Sequence, residues 1–144
     1  MKEKGKEMKE RFVLDSFAFI SFIKGEKGSK KVAELFERAE RGEVGLFLSK
    51  ITETEIYYVI FKTIGAISAN DIRKDIKKRK FPIEVISAID TRVEKAGEIK
   101  AQYNLSFADA FVAQLALEKN AIVVTGDPEF KELEKDNILD ILWL

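Results

Sequence analysis

The stretch RFVLDS, residues 11–16, decides the fold that we predict for this chain of 144 residues. Phe12, Val13 and Leu14 form an apolar run, and the run ends abruptly at Asp15. A short apolar run of this kind is typical of a strand in a parallel sheet that helices cover on both faces. Ligands of such sheets bind at the carboxyl ends of the strands, so Asp15 lies where function is expected.

Outward from this stretch, short apolar strands alternate with helical patterns. Beyond residues 11–14 the predicted strands are 44–48, 81–86, 121–125 and 138–143, and the predicted helices are 17–23, 29–41, 52–64, 70–80, 90–103 and 106–119. This alternation predicts an α/β fold with a mostly parallel sheet, and the apolar strands predict helices on both faces. We therefore predict a three-layer α/β/α sandwich, formed by one domain over residues 11–144 behind a charged leader of residues 1–10.

The composition narrows the chemistry, because the chain contains no cysteine and no histidine. Disulfides, zinc sites built on these residues, thiol nucleophiles and imidazole acids or bases are thereby excluded. The net charge of +0 excludes a uniformly basic nucleic-acid-binding surface but not a local basic patch. No apolar stretch reaches the roughly 20 residues that span a bilayer, and the charged start does not look like a signal peptide. We expect a cytoplasmic protein that does not bind membranes.

Four acids lie at, or within one turn of, the start of a predicted helix: Asp15, Glu55, Asp109 and Asp127. Helix starts and strand carboxyl ends lie on the same edge of a parallel sheet, so these four side chains are expected to converge there. The alternative is that each acid only caps its own helix. Asp15 and Asp127 have the positions of N-caps, and Glu55 and Asp109 have the third positions of capping boxes.

The surroundings of Asp109 favour a shared site, because the start of its helix is otherwise apolar and is predicted to be buried. A buried acid needs a partner, and several neighbouring carboxylates do not all stay ionised without a cation. Mg²⁺ and Mn²⁺ are the hard ions that prefer oxygen ligands. A carboxylate-bound ion of this kind suits phosphodiester hydrolysis, so the residues predict a metal-dependent nuclease.

The segments that carry these acids make the chain similar to a known family. They are FVLDS (12–16), SKITETEIYY (49–58), LSFADAFVA (105–113) and VVTGDPEF (123–130). From residue 12 to residue 144 the chain resembles the PIN domain family, and most closely the VapC-type toxin ribonucleases of prokaryotic toxin–antitoxin pairs. The resemblance implies a five-stranded parallel sheet in the order 3-2-1-4-5, in which Asp15 and Asp127 end neighbouring strands.

The same resemblance implies roles for individual side chains. The implied catalytic and metal-binding residues are Asp15, Glu55, Asp109 and Asp127, with Mg²⁺ or Mn²⁺ as the cofactor. Ser16 and Thr125 match positions where the family often has a hydroxyl that supports the cluster, and a local cap or turn is the alternative. Glu53 is a rival to Glu55, although the alignment favours Glu55. The sequence does not decide whether Glu129 approaches the site.

The resemblance also implies an activity and partners. The activity is endonucleolytic cleavage of single-stranded or looped RNA that leaves 5′-phosphate and 3′-hydroxyl ends, and the partners are a cognate antitoxin protein and a second copy of the chain. A basic run is predicted to contact RNA: Arg73, Lys74, Lys77, Lys78 and Arg79. A solvated helix face is the alternative for these residues.

Three other functions compete with the nuclease. A haloacid dehalogenase-type phosphatase needs a second Asp two residues after the first, where this chain has Phe17. A phospho-acceptor receiver domain needs a Lys after its last strand, and the last predicted strand leaves no such residue. A catalytically silent PIN-like module that binds RNA or protein stays open as the alternative.

Overall fold

The structure is a computed structural model that describes residues 9–144, so the first eight residues of the predicted leader lie outside it. Its strands are β1 (Glu10–Leu14), β2 (Val44–Ser49), β3 (Glu84–Ile86), β4 (Ile122–Thr125) and β5 (Ile141–Trp143). Its α-helices are α1 (Ser16–Lys24), α2 (Ser29–Glu40), α3 (Lys50–Thr63), α4 (Ala66–Lys77), α5 (Asp90–Gln102), α6 (Phe107–Lys119) and α7 (Lys131–Lys135). A single 3₁₀ turn, Pro128–Phe130, precedes α7. Within residues 9–144 no helix is long and apolar enough to cross a membrane.

The five strands form one parallel sheet in the order β3-β2-β1-β4-β5, as the resemblance implied. β1 lies in the centre, where Phe12 is opposite Leu46 of β2 and Ile122 of β4. The connections leave β1 and β4 toward opposite sides of the sheet. The carboxyl ends of these two strands therefore frame the crevice in which such folds bind ligands.

Alternate residues of the central strands face opposite layers of helices, and this confirms the three-layer sandwich. Leu14 and Val124 pack in the core beneath α1, α2, α3 and α4. Val13 and Val123 pack in a second core beneath α5, α6 and α7. All four side chains are fully buried, which explains why the central strands are apolar where helices cover both faces of the sheet.

Two predicted strands were too long. β3 begins at Glu84 rather than at residue 81, because Pro82 has no N–H to donate and the Phe81 ring packs edge-on against Phe19, 5.1 Å between centroids. β5 begins at Ile141 rather than at 138, because the Ile138 N–H bonds back to the last turn of α7. At the other end of the chain, Glu10 opens β1 instead of closing the leader.

Two predicted helices start two or more residues away from their observed first residue. The N-cap of α3 is Ser49, whose Oγ accepts a hydrogen bond from Ile51 N at 3.2 Å, so Thr52 is not the cap and Glu55 is not part of a capping box. The Thr52 hydroxyl is buried and has no hydrogen-bond partner within the described range. α4 spans Ala66–Lys77 rather than 70–80, since Arg79 has a positive φ of 58° and lies beyond the helix.

Candidate active site

Asp15 ends β1 and caps α1, and its two carboxylate oxygens have different partners. Oδ1 accepts a hydrogen bond from Ala18 N at 2.8 Å, which is the expected N-cap interaction. Oδ2 accepts a short hydrogen bond from the hydroxyl of Thr125 at the end of β4. The side chain is only 1% exposed. Capping therefore occupies one oxygen, while the second oxygen is held in the crevice between β1 and β4.

Asp109 occupies the third position of α6, behind the N-cap Ser106, but its carboxylate does not complete a capping box. Ser106 Oγ accepts the hydrogen bond from Asp109 N at 3.1 Å, which is one half of the box. The other half is replaced, because Ser106 N donates to Glu129 Oε1 at 3.2 Å. Asp109 is buried, with only 6% of its surface exposed. Its burial is not explained by helix capping.

Asp127 and Glu129 lie together on the turn that follows β4. Asp127 N donates to Thr125 Oγ1 at 2.9 Å, and Asp127 Oδ1 accepts from Glu129 N at 2.9 Å. One carboxylate oxygen each from Asp109, Asp127 and Glu129 lies within 4.8 Å of the other two. The position of Glu129, which the sequence left undecided, is thus beside the other acids. The sequence signal for this position was that Glu129 follows Asp127 by two residues, within a single helical turn.

The side chains of Glu55 and Glu53 lie in different surroundings. Glu53 is buried in an ion pair with Lys50 Nζ and lines a small gap that also contacts Ile76 of α4. Glu55 is half-buried, and its negative charge contributes to the raised pKa of the Asp15 carboxyl. Glu55, rather than its rival, therefore lies within electrostatic reach of the crevice.

Burial is the main cause that raises the pKa of Asp15 from 3.8 to about 7. The negative charges of Asp127 and Glu55 raise it further, while the hydrogen bonds from Thr125 and Ala18 act in the opposite direction. Within residues 9–144, the main causes that shift this pKa include hydrogen-bond donors to the carboxyl but no opposite charge. Near neutral pH the proton on Asp15 is therefore held weakly enough for a cation to displace it.

The pKa of Asp109 is raised to about 9, and burial is again the main cause. A hydrogen bond with Glu129 and the charges of Asp15 and Asp127 raise it further. We define the acid cluster as Asp15, Glu55, Asp109, Asp127 and Glu129. Negative charges within the cluster raise the pKa values of Asp15 and Asp109, so these acids form a shared site rather than a set of separate helix caps.

The donor set of the acid cluster fits a hard divalent cation. All of its ligand atoms are carboxylate oxygens, which Mg²⁺ and Mn²⁺ prefer, and three of the side chains already lie close enough together to share one ion. A bound cation also removes the mutual repulsion that raises both pKa values. Of the two predicted hydroxyls, Thr125 bonds directly to Asp15, whereas Ser16 is the half-buried first residue of α1.

The basic residues predicted to contact RNA are all exposed. Arg73 stacks its guanidinium on the Tyr57 ring, 3.8 Å from the ring centroid. Arg79 lines a separate cleft beside Val44, at the amino end of β2. The contact of these residues with RNA stays a prediction.

Gly126 is a residue whose importance sequence reasoning missed. A Cβ atom at this position would lie 2.4 Å from Cε1 of Phe17, so glycine lets the Phe17 ring lie against the backbone between Thr125 and Asp127, and a larger residue would require the ring to shift. The available signal was the glycine between two predicted site residues. Its requirement comes from close approach, since its φ is not in the left-handed region.

The family model of the PIN domain matches residues 12–136. Among solved structures, the chain is similar to VapBC2 from Rickettsia felis bound to a promoter DNA fragment, with a TM-score of 0.69, 18% identity, and coverage of 93% of this chain and 98% of that one. It is also similar to Mycobacterium tuberculosis VapC20, a Sarcin-Ricin loop cleaving toxin. The TM-score is 0.66 and the identity 17%, with coverage of 85% of this chain and 94% of that one. For PAE2754 from Pyrobaculum aerophilum the TM-score is 0.61, the identity 17%, and the coverage 93% and 92%. No curated protein matched the sequence.

Proposed function

The chain belongs to the PIN domain family, and we propose on this premise that it is a metal-dependent endoribonuclease, the toxin of a toxin–antitoxin pair. The observation that carries the proposal is the acid cluster, in which one carboxylate oxygen each of Asp109, Asp127 and Glu129 lies within 4.8 Å of the other two and Asp109 is buried. We expect the enzyme to act in the cytoplasm with Mg²⁺ or Mn²⁺. The similar structures include a toxin that cleaves RNA and complexes of VapBC type, which supports both the substrate class and an antitoxin partner.

In this proposal Asp15, Glu55, Asp109 and Asp127 hold the cation directly or through water. A divalent cation in this site stabilises negative charge on the phosphodiester and lowers the pKa of a nearby water. The Thr125 hydroxyl fixes the orientation of Asp15, because it donates to Oδ2 while Ala18 N donates to Oδ1. The ligand oxygens are thereby positioned before substrate arrives.

Proton transfer falls to the more accessible acids of the cluster. Asp127 is half-buried and Glu129 is exposed, so either carboxylate has access to the attacking water and is able to accept its proton. The phosphorus–O3′ bond breaks as the water oxygen adds in line, and the departing 3′ oxygen takes up a proton. The products are a 5′-phosphate and a 3′-hydroxyl.

The proposal is tested by RNA cleavage with Mn²⁺ or Mg²⁺, with EDTA, and with Asp15→Asn. We expect EDTA to abolish cleavage and Asp15→Asn to reduce it by more than about 100-fold, since both remove the cation or its ligand. Glu118→Gln is the matched control, because Glu118 is an acid on α6 that pairs with Arg92 outside the cluster. Cleavage that persists in EDTA contradicts the mechanism. No cleavage of any RNA by protein free of antitoxin favours a silent binding module.

We also propose that the chain forms a homodimer. Large apolar side chains are exposed along the hairpin of α3 and α4, among them Tyr58, Ile64 and Ile67, and Ile67 is 80% exposed. Surfaces of this kind are typical of protein contacts. Light scattering is expected to give the mass of two chains, and Ile67→Glu is expected to give the mass of one. A wild-type mass of one chain contradicts the proposal.

A further inference from the structure

The hydroxyl of Thr52 is buried without a hydrogen-bond partner in the first turn of α3. Thr52 is 0% exposed, and within residues 9–144 its Oγ1 is the only buried side-chain oxygen or nitrogen atom that lacks a partner. Burying an unpaired hydroxyl costs free energy, so native proteins rarely keep such a group without a reason. The position of Thr52 therefore needs an explanation.

The other threonines of α3 show which interaction Thr52 lacks. Thr54 and Thr63 each donate to the carbonyl oxygen four residues back, at 3.0 and 2.8 Å. The residue four back from Thr52 is Leu48, which belongs to β2 and not to the helix. Capping does not use the hydroxyl either, because Ser49 is the N-cap of α3. The two ordinary uses of a threonine near a helix start are therefore both absent here.

The first turn of α3 lies at the same edge of the sheet as the acid cluster. Val13 of β1 is opposite Phe47 of β2. Two residues farther along, the two strands reach Asp15 and Ser49, and adjacent strands lie about 4.8 Å apart. Since α3 begins directly after Ser49, the turn that contains Thr52 starts beside the end of β1.

Glu55 is the acid of the cluster that shares a side of α3 with Thr52. Residues three apart in a helix are neighbours on its surface, with Cβ atoms about 5–6 Å apart. Helical side chains also lean toward the N-terminus, so Glu55 covers the turn that contains Thr52. Glu55 is half-buried, and its charge contributes to the raised pKa of Asp15. The side of α3 that carries both residues is therefore turned toward the crevice.

We propose that Thr52 is a positioning residue of the metal site, and that its hydroxyl donates a hydrogen bond to the Glu55 carboxylate when a divalent cation binds the acid cluster. This inference rests on the proposed metal-dependent function and deepens it. The structure has the same kind of contact at another acid, where the Thr125 hydroxyl donates to Asp15. A hydroxyl that holds one carboxylate oxygen orients the other toward the cation. Cation binding thus offsets the cost of burying the Thr52 hydroxyl.

The test compares Thr52→Val with Thr52→Ser by calorimetric titration with Mn²⁺ and by urea unfolding in EDTA. Valine has the shape of threonine without the hydroxyl, so we expect the Mn²⁺ affinity to fall about 10-fold and the urea midpoint in EDTA to rise. Serine keeps the hydroxyl but loses a buried methyl group, so we expect an Mn²⁺ affinity within about 2-fold of the wild type and a lower midpoint. Thr54→Val is the matched control, because Thr54 is an exposed threonine of the same helix, and it is expected to keep the wild-type Mn²⁺ affinity.

Glu55→Ala tests whether Thr52 acts through Glu55. In a chain that carries Glu55→Ala, Thr52→Val is expected to cause no further loss of Mn²⁺ affinity, and an equal further loss overturns the inference. A wild-type Mn²⁺ affinity in Thr52→Val also overturns it, as does a lower midpoint of Thr52→Val in EDTA, since that result assigns the hydroxyl to the fold. Wild-type protein that binds no Mn²⁺ overturns this inference and the proposed function together. Mn²⁺ binding that Thr52→Val weakens, without cleavage of RNA, contradicts only the proposed nuclease.

Discussion

Two carboxylates at opposite ends of α6 have opposite electrostatic surroundings. At the last turn, Glu118 accepts two hydrogen bonds from Arg92, at 2.8 and 2.9 Å, and a third from Gln114, and these contacts lower its pKa. At the first turn, Asp109 is more deeply buried, is surrounded by acids, and has a raised pKa. One helix thus carries a carboxylate that pairs with an arginine and another that, within residues 9–144, has no ion-pair partner.

The difference teaches how to separate a structural acid from a functional one. An acid that only stabilises the fold is given a counter-charge, as at Glu118 and also at Glu53, which pairs with Lys50. A buried acid without a counter-charge lowers the stability of the folded chain. Asp109 and Asp15 are both of this second kind, so an external cation that binds beside them offsets their cost.

Of the substitutions that test this comparison, Asp109→Asn is expected to have the largest effect on stability. In EDTA at pH 8 we expect this variant to raise the free energy of unfolding by about 1–3 kcal/mol, because asparagine removes a carboxyl that the fold must keep protonated. In Mn²⁺ the wild type is expected to gain stability and the variant to gain little. Urea unfolding with and without the metal measures both changes.

The gain in stability expected from Asp109→Asn depends on pH. The pKa values of Asp109 and Asp15 in the fold, about 9 and about 7, exceed the ordinary 3.8, so the folded chain retains protons that the unfolded chain releases. The stability contribution of these groups in EDTA therefore falls as pH rises from about 4 to about 9. The advantage of Asp109→Asn should vanish near pH 4. Glu118→Gln, the control, should instead lower stability by at most about 1 kcal/mol and keep the Mn²⁺ response.

A smaller effect is expected from two glycine substitutions, one beside the acid cluster and one in α5. Gly126→Ala beside the acid cluster forces a Cβ into the Phe17 ring and is expected to cost about 1–2 kcal/mol. Gly97→Ala in α5, where a Cβ meets nothing within 4 Å, is expected to stabilise the chain by about 0.5–1 kcal/mol. Thermal unfolding measures both. Phe17→Ala in the Gly126→Ala chain should relieve the clash, and a destabilisation that persists unchanged contradicts this steric cause.

Sequence reasoning located the elements better than their ends. The alternation of apolar strands and helices predicted the three layers, and RFVLDS placed Asp15 at the carboxyl end of the central strand. The capping boxes misled, because Thr52 and Ser106 have similar local patterns but only Ser106 caps a helix. Ser49, which ends β2 directly before α3, supplies the cap that Thr52 was expected to provide.

By itself, the sequence determined which chemistry was available: without histidine or cysteine, the repeated placement of acids at helix starts pointed to carboxylates and a hard cation. Only the tertiary structure decided which of these acids form a cluster. Whether Asp109 caps α6 depends on Glu129, which lies twenty residues farther along the chain and takes the Ser106 N–H. Local sequence limits which residues are able to cap a helix, but the partners of those caps, and the burial and charge that shift a pKa, come from residues that only the fold brings together.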